Sequence, residues 1–141
     1  MKPHVIVDTG PLVAAINRKD RFHPWVVQKL SNIQVPLYTC EAVVSEACFL
    51  LQMVYGGQQA LLAWLDQGLL MIDFQLSAEV MAVWALMERY ESVPMSLADA
   101  CLVRMVELRP NSTVFTLDTD FMVYRINRNQ PIPTILPKER N

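Results

Sequence analysis

The sequence predicts an α/β fold, a short and mainly parallel sheet flanked by helices on both sides. Three observations predict it. Short apolar runs of strand length alternate with longer helical patterns, the order that builds parallel sheets. Two of those runs end directly in an aspartate, Asp8 and Asp118. Apolar residues make up 52% of the 141 and charged residues only 18%, so one domain over residues 1–141 can fill a core between two helical layers.

Taken in order, residues 4–7 (HVIV) form a buried strand that runs into Asp-Thr-Gly-Pro, a turn. Residues 12–17 start a helix, and RKDR at 18–21 reads as an exposed charged loop. Pro24 suits the first turn of a second helix reaching about residue 32. VPLYT (35–39) is a second strand, and residues 41–55 are helical up to the Gly56-Gly57 stop. A helix over 58–67 closes at Gly68, and LLMIDF (69–74) is a strand. Ser77 is expected to cap a helix reaching about residue 91, and Ser96 one reaching residue 108, where Pro110 stops it. TVFTL (113–117) is a strand and DTDF opens a turn or short helix. The stretch from Arg125 onward reads as a loosely polar tail in which PIPTIL (131–136) forms an edge strand.

Composition removes several functions. A net charge of −2 argues against a protein that coats nucleic acid non-specifically, while leaving room for an enzyme that reaches it through metal ions and a few local arginines. No apolar run approaches the ~20 residues of a membrane span, and MKPHVIVD lacks the features of a signal peptide. Cys40, Cys48 and Cys101 are odd in number without CxxC spacing, the pattern of reduced thiols in a cytoplasmic protein. A mean hydropathy of +0.22 is high for a soluble monomer and points to apolar surface covered by a partner.

The acids carry the chemistry. Asp8 alone reads equally well as a turn or capping aspartate. Glu46 has Ala42, Val43, Phe49, Leu50 and Met53 as its helical neighbours, so its carboxylate is expected to be paired, protonated or bound to a cation. Asp99 follows Ser96 by three residues, close to a capping box, and capping is its simplest role. Asp118 and Asp120 stand two apart at a strand end, where one can cap the next turn and a cation would relieve their repulsion. Parallel sheets bind ligands beyond the carboxyl ends of their strands, the edge to which Asp8 and Asp118 both point. Carboxylate oxygens suit Mg²⁺ or Mn²⁺, no His or Cys cluster offers a zinc site, and such an acidic edge points to phosphoryl chemistry.

Two motif readings fail on context. Asp-Thr-Gly marks aspartic proteases, but that fold is all-β and glycine-rich, whereas this chain has 4 glycines and several long helical patterns. VFTLDTDFMV looks like the Asp-x-Asp strand of haloacid-dehalogenase-type phosphatases. In that family the motif lies near the start, with a lysine and further acids downstream, and here Lys138 is the only lysine after Asp120.

The whole pattern resembles the PIN-domain family, and within it the VapC-type toxins. The motifs are VIVDTGPLVAAI, VVSEACFLL, SLADACLV and FTLDTDF, four in order along the chain. The resemblance implies a PIN-like α/β/α sandwich in which Asp8, Glu46, Asp99 and Asp118 form a catalytic and metal-binding quartet. Asp120 would be an accessory ligand, with Thr9 and Thr116 as hydroxyls near the metal. It also implies Mg²⁺- or Mn²⁺-dependent hydrolysis of RNA, a homodimer, and a cognate antitoxin. Two alternatives stand beside it: a non-catalytic PIN module that binds RNA or protein, and a PIN nuclease of RNA processing without an antitoxin. The cations expected to meet RNA are Arg18, Lys19 and Arg21, then Arg125 and Arg128, although a solvated charged loop explains the first three as well.

Overall fold

Strand β1 (His4–Val7) buries Val5, Ile6 and Val7 in succession, as a strand must when helices cover both faces of its sheet. In the computed structural model, which describes residues 3–138, it is the middle of five strands. The sheet has the order β3-β2-β1-β4-β7, with β2 at Leu37–Thr39, β3 at Leu70–Ile72, β4 at Ser112–Phe115 and β7 at Thr134–Ile135. All four pairings are parallel, with His4 opposite Ser112, Val7 opposite Phe115 and Ile6 opposite Tyr38. The chain therefore steps outward from β1 to β2 and β3, then returns to place β4 on the other side of β1. That reversal opens a crevice at the carboxyl ends of β1 and β4, where such sheets bind ligands.

Among the described residues six helices flank the sheet: α1 (Thr9–Ile16), α2 (His23–Leu30), α3 (Glu41–Leu50), α4 (Gly57–Asp66), α5 (Leu76–Arg89) and α6 (Leu97–Leu108). Helix α6 carries seven buried residues and packs against α5, β1 and β4. Helix α1 packs on α2, α3 and α4. Among the described residues no helix is long and apolar enough to cross a membrane. All three cysteines are free, Cys40 and Cys101 buried and Cys48 half-buried.

Several boundaries differ from those the sequence predicts. Helix α1 begins at Thr9, three residues early, because Asp8 caps it. Helix α3 ends at Leu50, and residues 51–56 form turns rather than helix up to Tyr55. Ser77 lies inside the first turn of α5, whose N-cap is Gln75 with no side-chain bond. The segment from Arg125 onward is folded and not a loose tail. β5 (Arg125–Ile126) and β6 (Gln130–Pro131) form an antiparallel pair, and Ile126 and Ile132 are buried. The expected edge strand over 131–136 is split between β6 and β7. Pro133 cannot donate a ladder bond, yet its carbonyl accepts from Val114 N–H and starts the β4–β7 pairing.

Candidate active site

Four chain segments deliver acids to the crevice. Asp8 follows β1, Glu46 lies on α3, Asp99 lies in the first turn of α6, and Asp118 and Asp120 follow β4 at a short 3-10 helix (Thr119–Met122). All five line one cleft of about 520 Å³, together with Ser96 and Leu117. Among the described residues no lysine or arginine lines it.

Helix starts organise three of these acids. Asp8 caps α1, with Thr9 N–H donating to Oδ1 at 2.7 Å. Asp118 caps the 3-10 helix, accepting from Asp120 N–H at 2.9 Å. Asp99 forms a full capping box with Ser96, as the Ser-x-x-Asp spacing announces. The expected capping roles are therefore present, and the carboxylates that fill them also line the cleft. Gly10 lets Leu117 pack closely beside Asp8 and Thr9: a Cβ there would meet the Leu117 side chain at 3.1 Å and require it to shift.

Hydroxyls tie the acids together. Thr116, fully buried, donates to Asp8 Oδ2 at 2.7 Å and accepts from Asp118 N–H at 2.9 Å. The Thr9 hydroxyl donates to Glu46 Oε2 at 3.2 Å. Tyr124 donates to Asp99 Oδ2 at 2.9 Å, a bond that no motif announces, since the pair lies 25 residues apart. Glu46 itself is exposed rather than embedded. Its apolar neighbours Phe49, Leu50 and Met53 face outward, while Val43, Ala47 and Leu51 are buried along the same segment.

Electrostatics mark the same place. Burial raises the Asp8 carboxyl to about 6, opposed by its bonds from Thr116 and Thr9 and assisted by the nearby charges of Asp99 and Asp118. Burial also raises Asp99, against the donors Tyr124 and Ser96. Among the described residues no three His, Cys, Asp or Glu side chains converge tightly enough to grip one ion. The donor set fits a different mode. Mg²⁺ keeps several waters and takes one or two direct carboxylates, so acids spaced around an open cleft suit it better than a closed cage.

The cations expected to meet RNA lie elsewhere. Arg18 and Lys19 are exposed beyond the far end of α1, about 12 Å of helix away from Asp8. Arg21 sits over the Phe22 ring at 4.8 Å. Arg125 is bound within the fold, its guanidinium donating to the carbonyls of Met122, Val123 and Tyr124. Arg128 is exposed in the β5–β6 turn, between Asn127 and Asn129, both of positive φ.

The PIN-domain family profile matches residues 5–127, a span that holds all five acids. The chain belongs to the PIN-domain family. Its structure is similar to that of VapC20 from Mycobacterium tuberculosis, described as a sarcin–ricin-loop-cleaving toxin, with a TM-score of 0.75 over 84% of this chain and 93% of that one. At 18% identity this likeness speaks for the PIN fold alone. No curated protein matches the chain.

Proposed function

We propose that this PIN-domain protein is a divalent-metal-dependent endoribonuclease and the toxin of a toxin–antitoxin pair. The observation that carries the reading is the cleft itself. Five carboxylates from four segments line it at the switch point of a parallel sheet, with no basic side chain among the described lining residues. Asp8, Glu46, Asp99 and Asp118, with Asp120 accessory, would hold Mg²⁺ or Mn²⁺ through one or two direct carboxylates and bridging waters. The ion, when bound, supplies positive charge for the phosphodiester and acidifies the attacking water.

The chain's own groups set the stage for that chemistry. Thr116 and Thr9 fix the orientation of Asp8 through one bond to each oxygen. Thr9 also restrains Glu46, and the capping box restrains Asp99. The surplus of negative charge excludes a bare phosphate, so substrate and cation must enter as a charge-balanced set. The toxin label draws on the likeness to VapC20, whose described target is the sarcin–ricin loop.

Helix α5 exposes Val80, Met81 and Trp84 on one side, and this face is assigned to a second copy of the chain in a homodimer. Incubation of purified protein with RNA in Mg²⁺ or Mn²⁺, with and without EDTA, tests the activity. Cleavage that EDTA does not stop contradicts the mechanism, and no cleavage under any metal favours the non-catalytic module. Binding and inhibition by the product of a neighbouring gene tests the toxin label. Failure there leaves a PIN nuclease of RNA processing.

A further inference from the structure

Asp99 is held in the cleft by an aromatic hydroxyl. Its Oδ2 accepts from Tyr124 at 2.9 Å and from Ser96 N–H at 3.4 Å, so both donors fall on the same oxygen. Neither donor reaches its Oδ1, and the residue lines the acidic cleft. Tyr124 itself is fully buried and does not line the cleft. Its ring stands edge-on to Phe121 at 5.2 Å and to Tyr90 at 5.1 Å. Tyr90 closes α5, and its hydroxyl accepts from Arg125 N–H at 2.9 Å, which fixes the backbone next to Tyr124. The phenol is therefore rigid at both ends: its ring is clamped by two aromatic side chains and its hydroxyl is spent on one carboxylate oxygen.

We infer that Tyr124 is a positioning residue that occupies Asp99 Oδ2 and leaves Oδ1 as the single oxygen Asp99 offers to a cation in the cleft. A carboxylate free to rotate could present either oxygen, or both to one ion. Fixing one removes that freedom before the cation arrives, which is how outer partners orient metal-ligating side chains. The inference rests on the metal-dependent reading of the cleft. It adds a connection to α5, because Tyr90 and Tyr124 share one aromatic contact.

Tyr124→Phe tests it, since the change removes one oxygen and keeps the ring between Phe121 and Tyr90. Mn²⁺ binding is measured by titration calorimetry on the full chain, with thermal unfolding as the check on the fold. Tyr124→Phe is expected to weaken Mn²⁺ at least ~10-fold, the ordinary effect of losing such a partner. Tyr90→Phe loosens the same segment but keeps the bond to Asp99, and should stay within about twofold of the parent. In an Asp99→Asn background, Tyr124→Phe should change nothing further. Equal losses with and without Asp99, or unchanged Mn²⁺ affinity in Tyr124→Phe, overturn the positioning role and leave the nuclease reading intact. A parent protein that binds no Mn²⁺ overturns both.

Discussion

Thr116 Oγ1 donates to Asp8 Oδ2 at 2.7 Å across 108 residues of sequence. The same hydroxyl accepts from Asp118 N–H, so one buried oxygen joins the carboxyl ends of β1 and β4. Thr116→Val keeps the shape and removes both bonds, leaving the Asp118 N–H and an Asp8 oxygen short of a partner. A loss of about 1–3 kcal/mol in urea unfolding is expected. Metal affinity should fall as well. Wild-type stability in this variant would show that the bond carries no weight.

Asp8 makes stability depend on pH in a definite direction. Its carboxyl is raised from 3.8 to about 6, chiefly by burial. Between those values the folded chain keeps a proton that the unfolded chain has lost, so stability declines as pH rises from about 4 through about 6. That rise corresponds to roughly 3 kcal/mol at most. Asp8→Asn removes the penalty while forfeiting part of the Thr116 bond. In EDTA it should therefore melt higher than the parent at pH 8 and gain nothing at pH 4, and in Mg²⁺ or Mn²⁺ it should lose the parent's cleavage. An equal shift at both pH values would show that the charge is not the cause.

The arginines and lysine expected to meet RNA divide by structure. Arg18, Lys19 and Arg128 are exposed, whereas Arg125 is committed to three carbonyls of the preceding turn. Replacing the first three with alanine should weaken RNA binding and flatten its salt dependence, by about one unit of slope for each phosphate no longer neutralised. Arg125→Ala should instead lower the melting temperature. An unchanged salt slope in the triple variant would remove this surface from the RNA path.

Trp84 is 59% exposed on α5, beside Met81 at 70%. Trp84→Glu places a charge in the face assigned to a second copy. Mass measurement at tens of micromolar should give a dimer for the parent and a monomer for the variant. A monomeric parent would remove the dimer and leave the face without an owner.

Part of this architecture is legible in the sequence, and the rest is concealed for identifiable reasons. Asp8 and Asp118 can be placed because a strand ending in an acid fixes which edge of a parallel sheet the acid occupies. Ser96 and Asp99 can be paired because a capping box is local. Glu46 departs from its expected surroundings: helical spacing tells which residues share a face, but not whether core or solvent meets it. Phe49, Leu50 and Met53 are apolar and outward. Tyr124 leaves no sign, because a hydroxyl that reaches a carboxylate on another element has no spacing rule. The region after Arg125 reads as polar because its apolar residues are scattered among polar ones, yet Ile126 and Ile132 each find the core.

Within this sheet β1 comes first in sequence and is among the last strands to be completed. It can pair with β2 as soon as Leu37–Thr39 exists, but its other neighbour begins only at Ser112. Until then Asp8 has no Thr116, and neither Asp118 nor Asp120 has been added to the chain. Pairings this distant in sequence form late, after the cost of closing a long loop has been met. Residues 1–100 alone therefore lack Thr116, Asp118 and Asp120 and cannot close the acidic cleft. The acidic cleft of this design is closed by its most distant partners in sequence, and it is assembled only when β4 and the acids that follow it join β1.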